Sequence, residues 1–528
     1  MTKNKKILYV LICVIILALY AGVIKSYWTP EPDSAYFISI ARSMAKGDGF
    51  THLGYSVNKI PPGFPLMLVP VILLKGVNFL CMNILIILCA LGSFLVIYYL
   101  FRINFNQNYA FFIMTFSAIS ILMVSRALYI MSDIPYLLFS MLALLLIEKS
   151  LRKPLTIKYE IGAGIFIALS LAIRSIGLSL LIAYLLYLLI KKNVDLRYKR
   201  IAVVLITVAV IIITLKISVR GGEKLQEHNL AQLNEFVSYK EELIRIKYDE
   251  PFNRVNPISL VARAIKNSVS YAGTMSNEIL GRPWLLSRER LTLGRPILHN
   301  LLLLFTLAAI PLIIIIGFYI SLLRGPSLVA FYFILYLGIQ VLFSAREPRY
   351  LIGILPFIFH YFFIGINFVS KKLTLFSKKK IAIPVSVVFL LVLGSLNIYH
   401  DLTLLKSVHI IPGYCPDYGN QQNVKNFMNV IVWIKKELPP GSRIISDMAP
   451  WVVLFSEKWC ISFPKTSNQE IITEFIRETG ADHIVVAPVY KEKYVYLTPV
   501  IEAHPTAFSL LYKSGQARIF RINQEALR

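Results

Sequence analysis

Blocks of apolar residues about 20 long recur through the chain and constrain its fold more than any other feature. They lie near 7–25, 79–101, 109–128, 134–150, 159–173, 175–191, 201–219, 298–320, 326–344, 350–369 and 381–399. At about 1.5 Å of rise per residue, a helix of this length crosses a hydrocarbon layer about 30 Å thick. A mean hydropathy of +0.64 and 16% charged residues exclude a disordered chain and argue against an ordinary soluble globule. The pattern predicts a polytopic α-helical membrane protein of about 11 transmembrane helices with outer juxtamembrane helices, plus a small C-terminal α/β domain outside.

The formal net charge of +26 can suggest a nucleic-acid partner. Here, however, the lysines and arginines sit in short clusters at the ends of apolar runs, as topogenic signals and headgroup contacts do. No nucleic acid is expected, whereas membrane lipid and an anionic lipid-linked substrate suit such loops. The clusters "MTKNKK", "FRINFNQN", "EKSLRKP", "KKNVDLRYKR", "LLRGP" and "KKLTLFSKKK" fall on every second side of the predicted spans. This alternation predicts a multi-pass protein of the cell membrane, with the N-terminus cytoplasmic and the C-terminal domain extracytoplasmic. The first run reads as an uncleaved start-transfer segment, because no small-x-small site separates it from Tyr27-Trp28.

That assignment gathers the polar features on the outer side. Residues 1–399 form the membrane part, with a first outer loop at 26–78 and a long one at 220–297, and 400–528 form the outer domain. In "DSAYFISIARSMAKG", Tyr36, Phe37, Ile40, Ala41 and Met44 follow helical spacing, which reads as an amphipathic helix along the membrane surface. Residues 61–76 are too short and proline-broken to span, and read as a surface or re-entrant segment. The long loop carries helical patterns around 229–248 and 257–280. Past 400, helix, glycine turn, strand and a final hairpin succeed one another. Cys13, Cys81 and Cys89 read as buried thiols beside apolar runs; Cys415 and Cys460 can pair if that part faces an oxidising space.

Two acids, Asp33 and Asp133, stand at the outer ends of spans without a near partner in sequence. Charge at that depth is costly and marks function, although both positions also suit a helix cap. The cations Lys59, Arg346 and Arg349 lie on the same side, where each either grips phosphate or snorkels to lipid headgroups, and Arg174, alone between two apolar runs, reads as a placed residue in contact with substrate or structure within the site. The eight histidines show no close pair, and there is no metal-ligand spacing, Walker loop or Gly-x-Ser-x-Gly.

In order, "PDSAYFISIARSMAKGDGF", "KIPPGFPLMLVP", "SDIPYLLFSMLALLL", "LALSLAIRSIGLSLLIAYLLYLL" and "REPRYLIGILPF" resemble the GT-C glycosyltransferases, integral-membrane enzymes that use polyprenyl-phosphate sugars. The likeness is to the bacterial branch of protein O-mannosyltransferases and aminoarabinose transferases, and it covers roughly residues 1–370. It implies that Asp33 is the catalytic base, and that Asp133 supports the acceptor or a divalent cation. It further implies that Lys59 contacts the lipid phosphate and that Arg349, with Arg346, stabilises the leaving phosphate. Asn58 departs from the pattern. Aminoarabinose transferases carry a glutamate there that helps hold a metal, so the departure weighs against a metal at that position and against aminoarabinose as donor.

The chemistry agrees with that implication. Breaking a sugar–phosphate bond at the anomeric carbon develops negative charge on the departing phosphate, which fixed Lys and Arg donors stabilise. A carboxylate removes the acceptor proton, and one base with direct displacement predicts inversion. The expected function is therefore sugar transfer from a polyprenyl-phosphate donor to a lipid, glycan or protein hydroxyl outside. The alternatives are a lipid or sugar transporter or flippase, which would place ionisable residues within spans and show an internal duplication, and a non-catalytic sensor anchored by its spans.

Overall fold

The computed structural model describes residues 3–57, 60–152, 156–191, 196–219, 256–280, 297–376, 385–410, 421–464, 466–489 and 494–527. Its elements run α1 (Lys3–Gly22), α2 (Pro32–Lys46), β1 (Thr51–His52), β2 (Tyr55–Ser56), α3 (Gly63–Lys75), α4 (Phe79–Asn104), α5 (Gln107–Ala118), α6 (Ile121–Ala127), α7 (Asp133–Leu151), α8 (Ile157–Ile173), α9 (Leu178–Ile190) and α10 (Arg197–Ser218). There follow α11 (Pro257–Leu280), α12 (Ile297–Leu323), α13 (Leu328–Leu342), α14 (Leu355–Phe376) and α15 (Val385–Ile410). The C-terminal part comprises α16 (Gln421–Glu437), β3 (Arg443–Ser446), α17 (Ala449–Ser456), β4 (Trp459–Ile461), α18 (Gln469–Thr479), β5 (His483–Val486), α19 (Tyr494–Ala503), β6 (Phe508–Ser514) and β7 (Ala517–Ile522). The described residues divide into two compact units, neither continuous in sequence: Met1–Ser26, Leu80–Leu215 and Leu260–Ile410 in the first, Tyr27–Phe79, Lys216–Ser259 and Ile411–Arg528 in the second.

Among the described residues the first unit is built of helices and holds no strand, as a chain in hydrocarbon must be if its backbone groups are to find partners. Among the described residues, four helices are long and apolar enough to cross a membrane: Phe79–Asn104, Asp133–Leu151, Arg197–Ser218 and Pro348–Lys372. A fifth is added if α5 and α6, bent by 52° at their junction, count as one span. The chain is thus a multi-pass membrane protein. Several expected spans are shorter apolar helices, among them Ser175–Ile190 and Leu328–Leu342. The run at 109–128, expected to be continuous, breaks at Ile119-Ser120.

A buried network ties four helices of this unit together. Glu160 of α8 pairs with Arg200 of α10 and accepts from Ser150 of α7 and, at 2.7 Å, from the Tyr184 hydroxyl of α9. Both charges are almost wholly enclosed, a position tolerable only because each is paired and hydrogen-bonded.

In the second unit, the C-terminal residues build a five-stranded sheet in the order β4-β3-β5-β7-β6. β3 is parallel to β4 and β5, while β7 is antiparallel to β5 and β6. Ile445, Ile461, Ile484 and Phe520 from the strands pack with Phe475, Ile476 and Val500 from the helices. Cys460 is buried on β4, and Cys415 lies outside the described residues. The helical patterns around 229–248 likewise fall outside them.

The apolar stripe of α2 is covered by protein. Phe37 meets Phe64 of α3 at 5.0 Å, and Tyr36 and Ile40 close over Phe50 and Val57. α17 lies alongside, with Trp451 edge-on to Trp28 at 5.3 Å. The Arg42 guanidinium donates to the Leu454 carbonyl at 2.8 Å and reaches Glu457 at 3.5 Å. Helical spacing identified a face to be buried, and Phe50, Val57 and Phe64 from the following residues bury it. Trp451 is fully enclosed. Trp451→Ala is expected to destabilise the protein by about 3–5 kcal/mol, read as a fall in the thermal midpoint.

Candidate active site

The first unit brings three of the candidate residues together at helix ends. Asp133 opens α7 and is buried. Its direction follows from its place in the helix's first turn, where a carboxylate also meets the positive end of the helix dipole. Its Oδ1 is paired with the Arg174 guanidinium. Its Oδ2 is buried and has no partner among the described residues.

Arg174 occupies the extended break (φ −147°, ψ 132°) between α8 and the 3-10 turn Ser175–Gly177. That break depends on Gly177, since a β-carbon there would come within 2.6 Å of the Leu171 nitrogen. The chain can therefore fold straight back from α8 into α9 with Arg174 at the apex. Burial works to lower the pKa of Arg174, and Asp133, together with Tyr336 and Tyr350, outweighs it and holds the guanidinium above its ordinary value. A permanent positive charge at this spot is secured.

Arg349 and Tyr350 come from a 3-10 turn, Pro348–Ile354, that leads into α14. The guanidinium of Arg174 lies 5.3 Å from the centre of the Tyr350 ring, and that of Arg349 lies 5.5 Å from it. Arg349 is buried and donates to the Met131 sulfur at 3.8 Å. The turn is fixed from α13, where the Tyr336 hydroxyl donates to the Tyr350 carbonyl at 2.6 Å and Tyr332 donates to the Gly353 carbonyl at 3.2 Å. One aromatic ring thus carries two cations, each attracted to its π face.

α11 closes one side. Asn267 donates to the carbonyls of Val341 and Phe343 at 2.9 and 2.8 Å, and Arg263 donates to that of Leu342 at 3.2 Å. These bonds cap the open carbonyl end of α13. One helical turn further along α11, Tyr271 is buried within the electrostatic reach of Glu347, Arg346 and Arg174, with burial raising its pKa most.

Arg346 and Glu347 are exposed. Asp33 is in the second unit, half-buried in the first turn of α2. Lys59 and Asn58 lie outside the described residues. A divalent cation at Asp133 does not fit the described residues. One carboxylate oxygen is committed to a guanidinium, and the described residues hold no cluster of three His, Cys, Asp or Glu donors.

Residues 59–217 match the family of dolichyl-phosphate-mannose-protein mannosyltransferases. The structure is similar to that of ArnT from Cupriavidus metallidurans bound to undecaprenyl phosphate, with a TM-score of 0.55, 11% identity and 98% of each chain covered. It is also similar to the oligosaccharyltransferase AglB from Archaeoglobus fulgidus in complex with an inhibitory peptide and a dolichol-phosphate. There the TM-score is 0.57 at 13% identity, over 99% of this chain and 75% of that one. The chain has the GT-C glycosyltransferase fold. At such identities the likeness is one of fold, and no curated protein sequence matches.

Within this GT-C fold, the residues that shape the cluster without having been singled out in the sequence are Tyr336, Tyr271 and Met131. Tyr350 had one local signal, its place beside Arg349 in an arginine-rich turn between two apolar runs. The others are single polar or polarisable groups inside apolar stretches, and only their convergence marks them.

Proposed function

We propose that this protein moves a sugar from a polyprenyl-phosphate donor to an acceptor hydroxyl on the outer face of the membrane, with inversion at the anomeric carbon. The observation that carries the reading is the GT-C fold, matched over the full length of a protein crystallised with undecaprenyl phosphate. The buried Arg174 and Arg349 around one ring support it, because a phosphate leaving in a low-dielectric site needs fixed cations. In the proposed step the acceptor oxygen bonds to the anomeric carbon as the carbon–oxygen bond to phosphate breaks. Asp33 takes the acceptor proton, and polyprenyl phosphate leaves with the bonding pair. Arg349, Arg346, Arg174 and Lys59 stabilise that phosphate. Arg174 fixes the direction of Asp133, which supports the acceptor, and no metal is required at Asp133. The cell membrane, with the N-terminus cytoplasmic and residues 400–528 outside, is the setting this reading assumes.

The test is turnover of a panel of polyprenyl-phosphate sugars by membranes carrying the protein, with Asp33→Asn in parallel. Release of polyprenyl phosphate with one donor, reduced about 10²–10⁴-fold in Asp33→Asn, is the expected result. Undiminished turnover in Asp33→Asn removes that residue as base. Failure of every donor to be consumed overturns the function.

A further inference from the structure

The outer end of α15 carries two buried polar residues that the transfer reaction does not use. Gly394, Asn397, Asp401 and Leu405 form one stripe of this helix at helical spacing. Its ends are fixed by packing. A β-carbon on Gly394 would meet Phe116 and Ile119 at 3.8 and 4.0 Å, and Leu405 lies 3.1 Å from where a β-carbon on Gly22 would stand. Asn397 and Asp401 between them therefore face α1 and the α5–α6 break.

Both are enclosed, Asp401 at 0% and Asn397 at 1% exposure. The Asn397 amide donates to the Leu393 carbonyl at 3.0 Å, which leaves its Oδ1 uncommitted. That oxygen and both oxygens of Asp401 are buried and have no partner among the described residues. Around them, α1 presents Tyr20, whose hydroxyl is spent on the Ala118 carbonyl at 3.0 Å. α11 presents Glu278, whose Oε2 accepts from the Ser120 hydroxyl at 2.8 Å and the Leu122 amide at 3.0 Å, so that it caps α6. Arg126, further along α6, acts on Glu278, and Glu278 acts on Asp401.

Apart from Arg126, the described groups around Asp401 are thus acceptors or already committed. A carboxylate without a donor in such a place costs several kcal/mol. Among the described residues, Arg126 offsets one of the two acidic charges, and one negative charge is left over. A single positive charge closes the account, and a divalent ion would reverse the imbalance. We propose that Asp401, Asn397 and Glu278 form a binding site for one monovalent cation, taken up either as a proton or as sodium. Burial also pushes Glu278 up to about 7, against the bonds from Ser120 and Leu122 and the charge of Arg126. A carboxyl so raised stabilises the fold when protonated and loses that contribution as pH rises through about 7.

The experiment is the thermal midpoint of the full-length protein in detergent at about pH 8.5 and about pH 6, in sodium chloride or choline chloride at equal ionic strength. The native protein is expected to be least stable in choline at the higher pH, and to gain several degrees from sodium, from acid, or from both. A gain on adding sodium at fixed pH identifies the metal ion, and a gain from acid alone identifies the proton. Asp401→Asn, which has the shape of the neutral acid, is expected to raise the high-pH midpoint and to flatten the response. Glu278→Gln, which keeps an oxygen for Ser120 and Leu122, is expected to reduce it. If the native protein responds to neither cation, or if both variants respond as it does, the site is not there.

Discussion

Arg174→Met is expected to destabilise the protein by about 3–5 kcal/mol, and pairing it with Asp133→Asn to restore most of that loss. Asp133 is 2% exposed, and its Oδ1 is neutralised by Arg174 alone among the described residues. Removing the guanidinium strands a carboxylate among apolar helices, whereas removing both charges leaves a neutral amide of nearly the same shape. Thermal midpoints of the two single variants and the double one, purified in detergent, give the cycle. Activity separates structure from function. Under the proposed reaction, the stable double variant is still expected to turn over the lipid-linked sugar far more slowly than the native protein, because one of the two cations over Tyr350 and the acid at the head of α7 are gone. A double variant that recovers stability and full turnover would make the pair a helix pin with no part in transfer. A double variant as unstable as Arg174→Met would mean that the stranded charge was not the cause.

Asp133, Arg174 and Arg349 were legible in the sequence for one reason. Each is charged at a break between apolar runs, where burial is costly and the chain must turn. Hydropathy located the helices because length and composition alone decide whether a segment suits hydrocarbon. What it could not locate is set by residues far away. The break at Ile119-Ser120 sits inside an unbroken apolar run, yet Glu278, 158 positions on, supplies the carboxylate that caps α6. The face of α2 could be seen and its cover could not, because periodicity records that a stripe is buried without recording against what. The C-terminal hairpin and both repeats of helix, glycine and strand were visible through alternation and turn residues, while β4, three residues long, is too short to carry a period. Asp401 passed unremarked for the opposite reason. It follows the last apolar run among ordinary polar residues, and only its enclosure sets it apart.

Gly317→Ala is expected to cost at least about 3 kcal/mol and to leave little folded protein, with Gly365→Ala doing the same. α12 and α14 cross at these two glycines. A β-carbon on Gly317 would fall inside the shell of the Tyr361 carbonyl oxygen, and one on Gly365 inside that of the Ile313 carbonyl oxygen. The arrangement is reciprocal, each glycine lying against the residue four positions before the other. The obstacle in both cases is backbone, which cannot rotate aside as a side chain can. Between helices in lipid there is no hydrophobic drive to restore the contact, since apolar chains outside are as good a solvent as apolar chains inside. Closeness of approach is the attraction, and a methyl group removes it along the whole crossing. Gly338 in α13 is the control, because a β-carbon there meets nothing within 4 Å. Gly338→Ala is expected to be neutral or to stabilise by up to about 1 kcal/mol through helix propensity. Yield of monodisperse protein on gel filtration and the thermal midpoint measure all three. Should Gly317→Ala match Gly338→Ala in both, the two helices do not touch at that point, and the packing that carries Arg349 and Tyr350 at the head of α14 has another origin.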